Sequence, residues 1–152
     1  MDNKTSAERS RNMSKIRSVD TKPELVIRKR LFADGFRYRL HDKKLPGKPD
    51  IVLKKYRAAV FINGCFWHGH EGCKYSRIPE THADFWAEKI GRNKERDTKE
   101  RQALADAGWR VLVIWTCALR NKAAVESTYD ALKKWLTEGR SDFAEIPQTA
   151  ES

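Results

Sequence analysis

"PDIVLKKYRAAVFINGC" (Pro49–Cys65) is the stretch on which the fold turns. "DIVL" (50–53) and "AAVFI" (58–62) are apolar runs of strand length. The intervening "KKYR" is short and polar, so the two runs read as a hairpin. Ahead of them, "LPGKP" (45–49) is a turn and "FRYRL" (36–40) alternates as a strand. Further upstream, "TKPELVIRKRLFADG" (21–35) is marked as a helix: Thr21 as cap, Pro23 early, Glu24 three residues after the cap, Gly35 as the stop. Downstream, residues 82–108 read as one long basic helix ending at Gly108, and "WRVLVIWTC" (109–117) as an apolar strand buried on both faces. Residues 123–139 place Val125, Tyr129, Leu132 and Leu136 at helical spacing, and the stretch from Arg140 has no clear pattern. The order is helix, strands, helix, strand, helix, which predicts an α/β sheet with flanking helices.

The 152 residues suit one domain, able to bury roughly two-thirds of the surface its unfolded chain exposes. Residues 1–20 are polar and basic, with Met13 and Ile16 spaced for one helical face, and read as an arm; 21–139 form the folded domain and 140–152 a tail. Lys and Arg number 31 against 21 Asp and Glu, a net charge of +10, which points to a polyanionic partner. A merely soluble basic protein is the bland alternative. No apolar run approaches a membrane span, and the N-terminus shows no apolar core of a secretory signal. Three cysteines cannot all pair as disulfides. Mixed with histidines, they read better as metal ligands.

Cys65, His70 and Cys73 lie in one loop, and Cys117 lies at the end of the 109–116 strand. Three thiolates and one imidazole make a Cys₃His set suited to tetrahedral structural zinc. Such a site has no open position, so it would hold the loop and do no chemistry. The alternative is a core cysteine at 117 and an incidental pair in the loop.

Asp50 opens an apolar strand after a Pro-Gly-x-Pro turn, a common way to hold magnesium for phosphodiester hydrolysis. "PD" before such a strand resembles half of the restriction-endonuclease-like nuclease motif. The other half, an acid-x-Lys triplet, is missing from "AAVFINGC". His68 is a candidate base, or else a spare nitrogen beside the loop. Glu24 is a candidate second carboxylate, or else the partner of Thr21 in a capping box.

"PGKPDIVL", "FINGCFWHGHEGC", "FWAEKIGRNKERD" and "GWRVLVIWTCALR", in that order, closely resemble the very short patch repair endonuclease family, over roughly residues 8 to 137. The resemblance implies a restriction-endonuclease-like fold, whose central sheet is mixed and flanked by helices, with a structural zinc. It implies a magnesium-dependent nickase that cuts one strand 5′ of the thymine in T·G mispairs, which arise when 5-methylcytosine deaminates. The implied partners are double-stranded DNA, a DNA cytosine methyltransferase and mismatch-repair proteins. The implied setting is a monomer in the bacterial cytoplasm, associated with the nucleoid.

By match to the motifs, Asp50 is the magnesium carboxylate and the Ile62 backbone carbonyl stands in for the missing acid. His68 matches the base, Glu24 a carboxylate that orients water, and Cys65, His70, Cys73 and Cys117 the zinc ligands. Phe66, Trp67 and Trp86 resemble intercalating residues, which would wedge most readily into a weakly stacked mismatch. Met13 would press from the other groove. Core packing is the bland alternative for Trp67 and Trp86. Lys89 and Asn93 are placed one turn apart for base edges, and Arg92 for phosphate. Two departures stand out. Asn63 replaces a second active-site histidine and cannot carry a proton. "HGHEGC" replaces a histidine run, with one more residue before Cys73. Two other readings are a non-catalytic zinc-dependent DNA-binding module and a dimeric restriction endonuclease.

Overall fold

In a computed structural model, which describes residues 22–147, helix α1 (Lys22–Ala33) is followed by strands β1 (Arg39–Leu40), β2 (Ile51–Leu53) and β3 (Ala58–Asn63). Helix α2 (Ala83–Asp106), strand β4 (Arg110–Trp115), helix α3 (Lys122–Thr137) and strand β5 (Phe143–Ile146) complete it. The sheet order is β1-β2-β3-β4-β5. The first two pairings are antiparallel and the last two parallel, so the sheet is mixed. The expected hairpin is present, with Ile51 opposite Val60 and Leu53 opposite Ala58.

Strand periodicity of two sorts the core into two layers. Ala58 and Val60 of β3 and Leu112 and Ile114 of β4 face one side, against Ile27 and Leu31 of α1 and Tyr129, Leu132 and Leu136 of α3. Ala59, Val111, Val113 and Trp115 face the other side, with Leu104 of α2. Each fully buried Leu or Ile here is worth about 1.5–3 kcal/mol, so these central strands form the rigid base beneath the loops.

The expected strand at 36–40 shrinks to Arg39–Leu40. Its first residue is taken by the end of α1: Gly35 turns at φ +92, and Phe36 N–H donates to the Leu31 carbonyl at 2.9 Å. The apolar run at 109–117 also ends early. Thr116–Leu119 form a 3₁₀ turn that carries Cys117 back towards the loop after β3. The patternless stretch from Arg140 supplies β5, paired parallel to β4. Arg110 prepares its approach, donating to the carbonyls of Trp135 and Gly139 at the end of α3 and of Ser141 beyond it. Met13 and Thr21 lie outside the described residues, as does the arm 1–20.

Candidate active site and metal centres

Asp50, at the mouth of β2, and Glu24, on α1, come together although the chain separates them. With His41 they offer three ligand atoms all within 4.8 Å of one another. Glu24 is 1% exposed. Its Oε2 accepts from Arg28 Nη1 at 2.9 Å and from His41 Nε2 at 2.7 Å. Asp50 Oδ2 accepts from the Ile62 N–H at 2.7 Å, so β3 aims the carboxylate. Burial pushes the Asp50 carboxyl up to about 6; the Ile62 N–H draws it back and the Glu24 charge adds to the rise. The buried Glu24 and the half-buried Asp50 repel each other, and a hard divalent cation relieves both the repulsion and the desolvation cost. Oxygen donors of this kind fit magnesium.

His68 follows on the loop after β3. Its Nδ1 lies 2.6 Å from Asp97 Oδ2 on α2. An ionised carboxylate only accepts, so Nδ1 carries the proton and Nε2 is left as the basic nitrogen. His68 is close enough to bear on the charge of Asp50. Asn93, one turn before Asp97, donates its amide to the Trp67 carbonyl at 2.9 Å. Helix α2 therefore grips two successive loop residues. Gly69, at φ +62, lets the loop pass this close: a Cβ there would stand 2.7 Å from Ile90 Cγ2 and 2.8 Å from Lys94 Cδ.

Phe66, Trp67 and Trp86 pack edge to face, with centroids 5.2 to 5.8 Å apart, and Phe85 joins Trp86 at 5.1 Å. None of them belongs to either core layer. They are half-buried, and Phe85 is exposed. Lys89 and Arg92 stand exposed on the same helix.

Cys65, His70, Cys73 and Cys117 form the second cluster, their ligand atoms again all within 4.8 Å of one another. The His70 N–H donates to the Cys65 carbonyl at 2.9 Å, and the Cys117 N–H points to Cys65 Sγ at 3.4 Å. The His70 ring stacks on Trp115 at 4.2 Å and 5°. Trp115 Nε1–H in turn donates to Glu145 on β5. Burial, and then the thiols of Cys65 and Cys73, push the Cys117 thiol up to about 12. Burial lowers His70, which keeps its ring neutral. Three crowded thiols resist ionising together unless a cation sits among them, and a soft Cys₃His donor set fits zinc.

The family profile described as "DNA mismatch endonuclease Vsr" matches residues 1–74. The type II nicking enzyme V.NmeAIP of Neisseria meningitidis serogroup A is 54% identical over 119 residues, 78% of this chain and 84% of that protein. The type II nicking enzyme V.XorIIP of Xanthomonas oryzae is 45% identical over 128 residues, 84% of this chain and 93% of its own. The DNA mismatch endonuclease Vsr of Escherichia coli K12 is 42% identical over 132 residues, 86% of this chain and 84% of its own.

The chain belongs to the Vsr family of DNA endonucleases.

Against that family the structure adds two residues that the sequence did not single out. His41 was one polar residue in a turn, and Asp97 one charge in a basic helix. The available signal for Asp97 was its spacing from Asn93, one helical turn, which puts both on the face that meets the loop. Nothing in the sequence pointed to His41, because its partner Glu24 lies on another element. Asn63 is buried at the end of β3. Gly69 has its account in the tight contact with α2.

The carboxylate corner also carries a stability cost. Because the Asp50 carboxyl is raised from its ordinary 3.8 to about 6, its contribution is fully present below pH 4 and lost as pH rises through 6. Without added magnesium, Asp50→Asn keeps an acceptor for the Ile62 N–H and removes the buried charge. We expect it to stabilise the protein by about 1–3 kcal/mol at pH 7.5, and by nothing at pH 4. Denaturant unfolding at the two pH values measures this. An Asp50→Asn variant less stable than wild type at pH 7.5 would contradict the assignment of Asp50 as an uncompensated charge.

Proposed function

We propose that this protein is a DNA mismatch endonuclease that nicks one strand 5′ of the thymine in a T·G mispair, starting very short patch repair. One observation carries the reading: the buried Glu24 and the half-buried Asp50 converge with His41, all within 4.8 Å, while β3, whose Ile62 N–H aims Asp50, leads into the loop of His68, whose Nδ1 is held by Asp97. The printed names of the relatives, mismatch endonuclease and nicking enzyme, supply the substrate class. In this reading the fold is restriction-endonuclease-like, the enzyme acts as a cytoplasmic monomer, and the mispairs come from a partner DNA cytosine methyltransferase. No helix among the described residues is long and apolar enough to cross a membrane.

Asp50 and the Ile62 carbonyl would hold magnesium, which when bound polarises the phosphoryl oxygen and acidifies water. His68 Nε2 takes the proton of the attacking water, and Asp97 steadies the resulting imidazolium. Glu24 orients the water. Asn63 hydrogen-bonds phosphate or water but moves no proton. The Cys₃His cluster would hold zinc and fixes the loop, so that Phe66 and Trp67 stand beside His68. Phe66, Trp67 and Trp86 wedge into the stack, Lys89 and Asn93 meet base edges, and Arg92 meets phosphate. The Asn93 amide does this while steadying the Trp67 backbone. Met13, on the arm, enters the opposite groove.

The test compares a T·G duplex with its T·A counterpart, with and without magnesium. Single-strand cleavage 5′ of the thymine, confined to the mispair and to magnesium, is the expected result. Binding without cleavage would favour the DNA-binding module, and double-strand cleavage of the matched duplex a restriction enzyme.

Trp67 gives a further prediction. Stacking on a base is worth about 1–3 kcal/mol, and the Trp67 contact would exist only in the wedged state. Trp67→Ala is expected to weaken T·G binding by about that amount and T·A binding far less. Equal losses on both duplexes in a titration would take discrimination away from Trp67.

A further inference from the structure

We propose that His41 is a positioning residue of the carboxylate corner, joining Glu24 on the helix to Asp50 on the sheet so that both face one divalent cation. The inference rests on the magnesium-nuclease reading above and adds a residue to it. His41 contacts two different elements. Its Nε2–H donates to Glu24 Oε2 at 2.7 Å, and its backbone N–H donates to the Asp50 carbonyl at 3.1 Å. Arg28 also holds Glu24 Oε2, but from one turn along the same helix. Through this contact Arg28 fixes the carboxylate within α1. His41 lies beyond β1, alongside Asp50, and spans the gap to Glu24.

The mutual repulsion of the two carboxylates makes the link matter. The carboxylate oxygens of Glu24 and Asp50 lie within 4.8 Å of one another, and like charges at that spacing push apart. A donor rooted beside Asp50 opposes this and keeps the pair at ligand spacing. The preorganised corner then spends less of the cation's binding energy on ordering the protein. Partners that orient metal-binding groups in this way are typically worth 10–100-fold in metal affinity or activity.

His41 sits at φ +48, in the left-handed region that favours glycine but that Asn and His tolerate. This guides the choice of variants. His41→Asn accepts the backbone conformation but is too short to reach Glu24. His41→Gln carries an N–H donor at about the place of the imidazole Nε2.

The experiment measures Mn²⁺ affinity by electron paramagnetic resonance on zinc-loaded protein without DNA, and nicking of a T·G duplex across a magnesium titration. Melting temperature and zinc content confirm that each variant is folded. His41→Asn is expected to weaken Mn²⁺ binding, and to raise the magnesium needed for half-maximal nicking, by about 10-fold or more, with His41→Gln within about threefold of wild type. Wild-type Mn²⁺ affinity in folded His41→Asn overturns the proposal. So does a His41→Gln protein that falls as far as His41→Asn, because then the imidazole itself is required. Asp50→Asn separates this from the underlying reading. If Asp50→Asn still binds Mn²⁺ and nicks, the metal site is elsewhere and both readings fall. If it loses both while His41→Asn loses neither, only the role of His41 falls.

Discussion

Asp50→Asn is expected to reduce nicking of a T·G duplex to background while DNA affinity stays within a few-fold of wild type. Asp50 is the carboxylate that β3 aims through the Ile62 N–H. In the proposed mechanism its loss would remove the hard oxygen ligand for magnesium, and with it the chemistry that the ion would supply. Binding should survive, because the proposed DNA contacts lie on the basic helix and the aromatic cluster. The same variant is expected to be the more stable protein, so loss of activity could not be blamed on unfolding. His68→Ala should behave differently. General-base help is typically worth 10²–10⁴-fold, so slow, magnesium-dependent cleavage should remain, and raising the pH should recover part of it as hydroxide replaces the base. Single-turnover assays across pH separate the two. Near wild-type nicking by Asp50→Asn would mean that the chemistry is not in the Glu24–Asp50 corner. Zinc loss and unfolding in His68→Ala would make His68 a ligand and move the search for a base to His70.

Cys117→Ser carries the second large effect. Cys117 is distant in sequence from Cys65, His70 and Cys73, yet its Sγ lies 3.6 Å from His70 Nδ1. A structural zinc contributes on the order of 10 kcal/mol of apparent folding free energy in small zinc-binding peptides. Losing one thiolate of the four-ligand set should therefore strip most of the zinc and lower stability by several kcal/mol. The loop carrying Phe66, Trp67 and His68 should loosen with it, taking nicking down as well. Metal analysis after dialysis, with denaturant unfolding, measures both. A folded, zinc-free Cys117→Ser protein with wild-type activity would remove zinc from the account of this loop.

Legibility in the sequence followed the strength of the physical signal. The β2–β3 hairpin and β4 could be read because their apolar runs are buried on both sides of a sheet and interrupted by nothing. Strand β5 could not: four half-buried residues at an edge leave too short a pattern, and their apolar contacts come from β4 and its neighbours. The Cys₃His cluster was legible because Cys and His are scarce and three of the four lie in one loop. Asp50 was visible from its turn, but Glu24 remained open between cap and catalyst, since only the fold sets it beside Asp50 and His41. Asp97 was hidden by its surroundings, as one acid among many charges on α2 looks like a solvated face. Trp67 and Trp86 were ambiguous for the opposite reason. Bulky aromatics serve cores and wedges alike, and it took the packing to place them outside both core layers.

The position of Cys117 also bears on how the protein is made. A growing chain emerges with its N-terminal part first. By the time α2 is out, Glu24, His41, Asp50 and His68 are all present, and every group proposed above for the chemistry has been synthesised. The fourth member of the Cys₃His cluster has not, because it follows β4. Until then the loop that carries His68 and the aromatic cluster lacks its last clamp. Stalled ribosomal products and proteolytic fragments that stop short of β4 are thus expected to be harmless to the genome, although they hold every side chain proposed for the chemistry.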